Sequence, residues 1–222
     1  MNYLDCVVKE PQQPANACVI WLHGLGADGH DFEPVVPMMN FADELQIRFV
    51  FPHSPKLPVT INGGMVMPAW YDILDMSVER KVDIGQLRQS ADAVEALIER
   101  EIARGIPSER IILAGFSQGG AVAYETALRF DKPLAGLLAL STYFASKDSI
   151  NVNAANAEID IMVMHGSQDP VVVPELARKA MQSLEQFGYH PDFKQYPMPH
   201  AVCQEQVSDI AKWISQRLIN RV

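Results

Sequence analysis

Along the chain, short apolar runs of strand length alternate with longer stretches in which apolar residues recur every three or four positions. Tyr3 to Val8 reads as an edge strand, and Ala17 to Leu22 (Ala-Cys-Val-Ile-Trp-Leu) as a strand buried on both faces. A glycine-bearing loop from His23 to Asp31 follows, then a short helix over Phe32 to Phe41 and a strand over Ile47 to Phe51. Asp83 is placed to cap a helix reaching about Arg104, with Leu87, Ala91, Val94, Leu97 or Ile98, and Ile102 on one stripe and Gly105 as the stop. Ile111 to Gly115 predicts another buried strand, with a helix from straight after Gly119 to Arg129. Strands over Ala135 to Leu140, Ile159 to His165 and Asp192 to Tyr196 then alternate with helices from Pro174 to about Phe187 and from Cys203 to about Leu218.

Pro52 to Trp70 breaks this order. It shows neither period, only prolines and Gly63-Gly64 among apolar residues such as Met65, Val66 and Met67, and so predicts an irregular lid or binding loop. The remainder predicts an α/β fold with a mostly parallel sheet and helices on both faces. With no repeat, linker or low-complexity segment, one domain over residues 1–222 is expected. Ligands of such a sheet bind beyond the carboxyl ends of its strands.

Composition narrows the function more by exclusion than by assignment. At 48% hydrophobic and 20% charged residues the chain has an ordinary soluble make-up, and a formal charge of −9 without a basic patch argues against nucleic acid. Residues 1–16 carry Asp5, Lys9, Glu10 and two prolines, unlike a signal peptide, and no apolar run of about 18 residues occurs later. A cytoplasmic protein without stable membrane insertion is expected. Cys6, Cys18 and Cys203 form an odd set without C-x-x-C spacing, which suits reduced thiols.

The chemistry is concentrated at Gly115-Phe116-Ser117-Gln118-Gly119, which fits the G-x-S-x-G nucleophile elbow between a strand and a helix. The flanking glycines make room for the sharp turn, and the helix N-terminus points unsatisfied N–H groups at the serine. Partners should follow in the order acid, then histidine, each in a loop after a strand. His200, after the strand ending at Tyr196, meets that rule, whereas His190 precedes the strand. Asp169 meets it after the strand Ile159 to His165, with Asp148 as the alternative. His200 would then be the general base and Asp169 the group that orients it. Two N–H donors are needed for the oxyanion: the backbone of Gln118, and Leu25 or, behind it, Gly26. Using only its backbone, Gln118 should tolerate Gln118→Ala.

Two other patterns compete and fail. Gly24-Leu25-Gly26-Ala27-Asp28-Gly29 is a literal G-x-G-x-x-G, but the next strand ends in Phe51-Pro52-His53 without a ribose-binding acid, and Pro34 and Pro37 interrupt the following helix. His23, Asp28, His30 and Asp31 lack a further ligand set with metal spacing and read as solvated loop side chains. No cofactor or metal is called for by a serine pathway.

Five segments, Leu22 to Gly29, Met67 to Asp72, Gly115 to Ala121, His165 to Val172 and Met198 to His200, resemble the carboxylesterase / acyl-protein thioesterase (phospholipase/carboxylesterase) family of α/β-hydrolases. The resemblance implies a single-domain α/β-hydrolase fold without a large cap domain, the triad Ser117, Asp169 and His200, and an oxyanion hole from Leu25 and Gln118. It also implies that the excursion ending in Trp70-Tyr71-Asp72 helps form an apolar acyl groove, for which Gly24, Met65, Met67 and Trp70 are the candidate contacts. Pro199 and Ala201 depart from the glycine and serine that many members carry beside the histidine. The expected activity is that of a serine carboxylesterase on short- to medium-chain acyl esters or thioesters, acting as a monomer or weak homodimer. The alternatives are an acyl-protein thioesterase acting on acylated proteins, and a non-catalytic binding protein of the same fold.

Overall fold

Consecutive side chains of Ala17–Leu22 go to opposite sides of one sheet. Ala17, Val19 and Trp21 pack into one core cluster, Cys18, Ile20 and Leu22 into the other, and all six are buried. The computed structural model describes residues 3–77 and 80–219. Its strands and helices in chain order are β1 (Cys6–Lys9), β2 (Ala17–Leu22), β3 (Ile47–Pro52), β4 (Lys56–Val59), β5 (Met65–Pro68), β6 (Ile73–Asp75), β7 (Lys81–Val82) and α1 (Ile84–Ala103). Then come β8 (Ile111–Phe116), α2 (Gln118–Arg129), β9 (Gly136–Leu140), β10 (Ile161–Gly166), α3 (Pro174–Gln186), β11 (Asp192–Tyr196) and α4 (Gln204–Ile219).

The seven-stranded sheet runs β1-β3-β2-β8-β9-β10-β11, with only β1 antiparallel to its neighbour. Residues of α1, α2 and α3 cover one face, and α4 with a 3-10 turn covers the other. Asp83 caps α1, its carboxylate accepting the Gln86 N–H at 2.9 Å, and Leu87, Ala91, Val94, Leu97 and Ile98 are fully buried along it. Among the described residues no helix is long and apolar enough to cross a membrane.

Four expectations need correction. The edge strand read over Tyr3 to Val8 spans Cys6–Lys9. The helix over Phe32 to Phe41 is a 3-10 helix, Glu33–Met38, because Pro37 inside it has no N–H for α-helical bonding and its ring clashes with the carbonyl four residues back, whereas Pro34 is tolerated in the first turn. The strand before His165 starts at Ile161, not Ile159. The stretch from Pro52 to Trp70 is not irregular: β4 and β5 form an antiparallel ribbon, Lys56 opposite Pro68 and Val59 opposite Met65, closed by a 3-10 turn at Thr60–Asn62. Gly63 and Gly64 close it with φ of 67° and 78°, a conformation that L side chains avoid. A second ribbon, β6 with β7, lies between this one and α1.

Candidate active site

Ser117 follows β8 and stands at the N-cap of α2 with φ 54° and ψ −120°, a strained conformation for a residue with a side chain. Three bonds hold it there. Its N–H donates to the Leu140 carbonyl at 2.9 Å, its carbonyl accepts the Thr142 hydroxyl at 2.6 Å, and the Gly120 N–H donates to the same carbonyl at 3.0 Å. The neighbouring glycines are required sterically. A Cβ on Gly115 would lie 2.4 Å from the Gly119 carbonyl oxygen, and one on Gly119 would lie 2.5 Å from that of His23. The turn thus brings α2 and the end of β2 too close for any side chain.

Asp169 follows β10 and is almost wholly buried. One carboxylate oxygen accepts the N–H groups of Val171 and Val172, both at 2.9 Å, and the other accepts Nδ1 of His200 at 2.7 Å. Burial would push this carboxyl up, but the bonds from His200, Val172 and Val171 outweigh it and hold the group below its ordinary value. The acid is therefore ionised. Asp148, the alternative, is exposed and paired with Lys147 at 2.7 Å.

His200 sits in the loop after β11 with its ring 4.7 Å from that of Phe116, and it lines the same cavity of about 290 Å³ as Ser117. No hydrogen bond joins Ser117 Oγ to His200 among the described residues. A second imidazole backs the acid. His165 is fully buried, 3.6 Å from Asp169, and donates from Nε2 to the Val172 carbonyl at 2.7 Å, which fixes the loop that presents Asp169. Burial pushes its pKa down, so it stays neutral there.

The candidate oxyanion donors differ in what already uses them. The Gly26 N–H is taken by the Pro68 carbonyl at 2.8 Å, while the N–H groups of Leu25 and Gln118 have no partner among the described residues. Both residues line the Ser117 cavity, as does Gly24.

Trp70, Met65 and Met67 do not. Trp70 is buried behind the site, its ring N–H donating to the His23 carbonyl at 2.9 Å. Met65 projects into solvent at the ribbon, and Met67 is half-buried there. The apolar lining comes instead from Ile61, Ile73, Met76, Phe116, Tyr143 and Val171. Tyr143 follows β9 at a strand's carboxyl end, so the strand-end rule offered a signal for it; Ile61, Ile73 and Met76 sit on ribbons that the periodicity did not reveal.

The side chain of Gln118 also proves to be engaged. It accepts the Trp70 N–H at 2.8 Å and donates to the Tyr71 carbonyl at 2.7 Å, and it is buried. Truncation would leave two backbone groups orphaned behind the oxyanion loop, so tolerance of Gln118→Ala is no longer expected. His23 is another correction. It is buried rather than solvated, donating from Nδ1 to the Gly24 carbonyl at 2.7 Å while Nε2 accepts the Ser54 N–H at 3.2 Å. Of its presumed companions, His30 pairs with Glu33 at 2.9 Å and Asp28 accepts the His30 N–H at 2.8 Å.

A serine on a strand-to-helix turn of a mostly parallel sheet, with an acid and a histidine on later strand-end loops, is the layout of an α/β-hydrolase. The chain belongs to the phospholipase/carboxylesterase family of these hydrolases, whose model matches residues 4–218. It is 37% identical to an acyl-protein thioesterase 1 of Neurospora crassa over 91% of this chain and 87% of that one. A protein of the same name from Cryptococcus neoformans is 36% identical over 94% and 95%. Among solved structures, Arabidopsis thaliana SOBER1 superposes with a TM-score of 0.85 at 30% identity, covering 92% of this chain and 100% of that one. The chain is a hydrolase.

Proposed function

We propose that the chain is a serine carboxylesterase that cleaves short- to medium-chain acyl esters, and thioesters, through an acyl-enzyme on Ser117. The bond of 2.7 Å from His200 to an ionised Asp169, at a cavity that Ser117 also lines, carries this reading. His200 takes the Ser117 proton at Nε2 as Oγ attacks the carbonyl, and Asp169 stabilises the imidazolium. The serine–histidine contact tightens when substrate fills the cavity, as such contacts commonly do. The N–H groups of Leu25 and Gln118 stabilise the oxyanion, the leaving group departs with the proton from His200, and water repeats the sequence to release the acid. None of these steps uses a metal or organic cofactor.

The part of the substrate next to Ser117 is held in the cavity of about 290 Å³, at the small end of the range for ligand sites. A thioesterase acting on acylated proteins has the same chemistry and is favoured by the names of the two fungal relatives. We take the domain to be residues 1–222 and its compartment to be the cytoplasm. The deciding measurement is kcat/KM on p-nitrophenyl esters and matched acyl thioesters of increasing length, with Ser117→Ala beside the parent. Loss of about 10⁴ to 10⁶ in the variant is expected. Equal turnover by both proteins would overturn the serine mechanism.

A further inference from the structure

A larger cavity of about 880 Å³ adjoins the Ser117 cavity, and the two share Arg80 and Tyr143 in their linings. In a chain of formal charge −9, its wall carries four cations, Arg80, Lys81, Lys147 and Lys179, and one carboxylate, Asp148. The lysines have acidic neighbours. Lys147 pairs with Asp148 at 2.7 Å, Lys179 with Glu175 at 3.4 Å, and Lys81 stands opposite Asp75 across the second ribbon.

Arg80 differs. Among the described residues it has no carboxylate partner, its guanidinium carbon lies 4.8 Å from the centre of the Tyr143 ring, and one terminal nitrogen donates to the Val171 carbonyl. Its Nε is buried without an acceptor. A guanidinium has five N–H donors, and a buried donor without an acceptor is costly, so the arrangement favours an arriving anion. The backbone is strained as well, with φ 24° at Arg80, and such outliers persist where the surroundings impose them, often at ligand clamps.

We propose that the larger cavity is a substrate subsite for an anionic group, a carboxylate or phosphate, carried by the ester or thioester some distance from its scissile carbonyl, and that Arg80 receives that anion. The proposal rests on the serine-hydrolase reading of Ser117. The anion can be borne by either half of the substrate. An acyl tail ending in a carboxylate would pass from the Ser117 cavity between Arg80 and Tyr143, and an anionic leaving group would lie across the same junction. Tyr143 flanks either path with its ring, which is fixed by the bond of 2.8 Å between its hydroxyl and that of Tyr71.

The test is a pair of matched comparisons. For the acyl arm, kcat/KM is measured on mono-p-nitrophenyl suberate against p-nitrophenyl octanoate. For the leaving-group arm, it is measured on para-(butanoyloxy)phenylacetate against phenyl butyrate. In one arm the anionic member should be favoured by about tenfold, and the arm that shows it identifies which half of the substrate enters the larger cavity. Arg80→Gln should bring that ratio to about one, and Arg80→Lys should keep part of it. In the parent protein the ratio should also fall as NaCl rises from about 20 mM to about 0.5 M, a readout that does not depend on the variants folding. Ratios near one in both arms, or a ratio that survives Arg80→Gln, would overturn the proposal while leaving the hydrolase reading intact. Absence of turnover of every ester, anionic and neutral alike, would remove the hydrolase reading itself, and the subsite with it.

Discussion

The two ends of the sheet bury charge in opposite ways. At the amino end, Glu101 is fully buried and surrounded by cations, Arg48 at 2.7 Å, Arg100 at 3.0 Å and Arg104 at 3.1 Å, with Glu10 joining Arg48 and Arg104 outside. Charge is matched there by charge. At the carboxyl end, Asp169 is held by one imidazole and two backbone N–H groups, and the adjacent N–H groups of Leu25 and Gln118 have no partner among the described residues. The first arrangement spends its carboxylate on three cations, whereas the second keeps N–H donors and an imidazole at a cavity. Polar burial by itself does not mark a functional site; polar burial with unspent capacity does.

Breaking the amino-end cluster should give the largest effect on stability. Glu101→Ala leaves three guanidinium groups without their shared acceptor and is expected to cost about 3–5 kcal/mol in chemical denaturation. Activity per folded molecule should be unaffected; a catalytic defect of the folded variant would contradict the division between the two ends. Gln118→Ala should do the reverse in proportion. Its two lost bonds predict about 1–3 kcal/mol of destabilisation, together with a fall in kcat that exceeds the change in KM, because the strap behind the oxyanion loop loses its anchor. Parent-like kcat in the folded variant would show that the side chain is dispensable.

The smallest effect is that of pH on stability. Burial lowers the pKa of His23 and His165 below the ordinary 6.5, so the unfolded chain binds more protons than the folded one just below that value. Their contribution is complete above about pH 6.5 and is lost as the pH falls. Asp169, lowered from 3.8, adds stability above that value that disappears on further acidification. Denaturation midpoints should therefore drop from pH 8 to pH 5.5 and again toward pH 3. A midpoint that rises over the first interval would contradict the burial of the two imidazoles.

Most of the elements that were legible in the sequence carry a core-facing pattern; β11, largely exposed, was marked instead by Pro191 before it. β2 and β11 match their expected bounds, α1 lies where Asp83 and Gly105 mark it, and the elbow at Ser117 announced itself through its glycines. The pairing of Asp169 with His200 was expected from chain order together with the strand-end rule. What escaped was of another kind. The two ribbons have strands of two to four residues, include Pro58 and Pro68, and bury little, so neither period nor propensity reports them. The Asn62-Gly63-Gly64 turn was a signal for the first ribbon. The roles of the Gln118 side chain and of Trp70 depend on partners 47 or 48 residues away in sequence, which no local pattern encodes.

The first ribbon is fastened at its base and, through Thr60 bonded to Asp72 at 2.7 and 2.6 Å, at the start of its turn, while the Gly63-Gly64 end of the turn is open. Its last residue, Pro68, holds the Gly26 N–H at 2.8 Å, and Trp70 beyond it is tied to Gln118 and His23. Gly63 and Gly64 at the turn are exposed, and a Cβ on either would meet nothing within 4 Å. The same hairpin thus divides into a part where the chain can be lengthened, tagged or cut and rejoined, and a part a few residues on where a single added residue would shift the oxyanion loop.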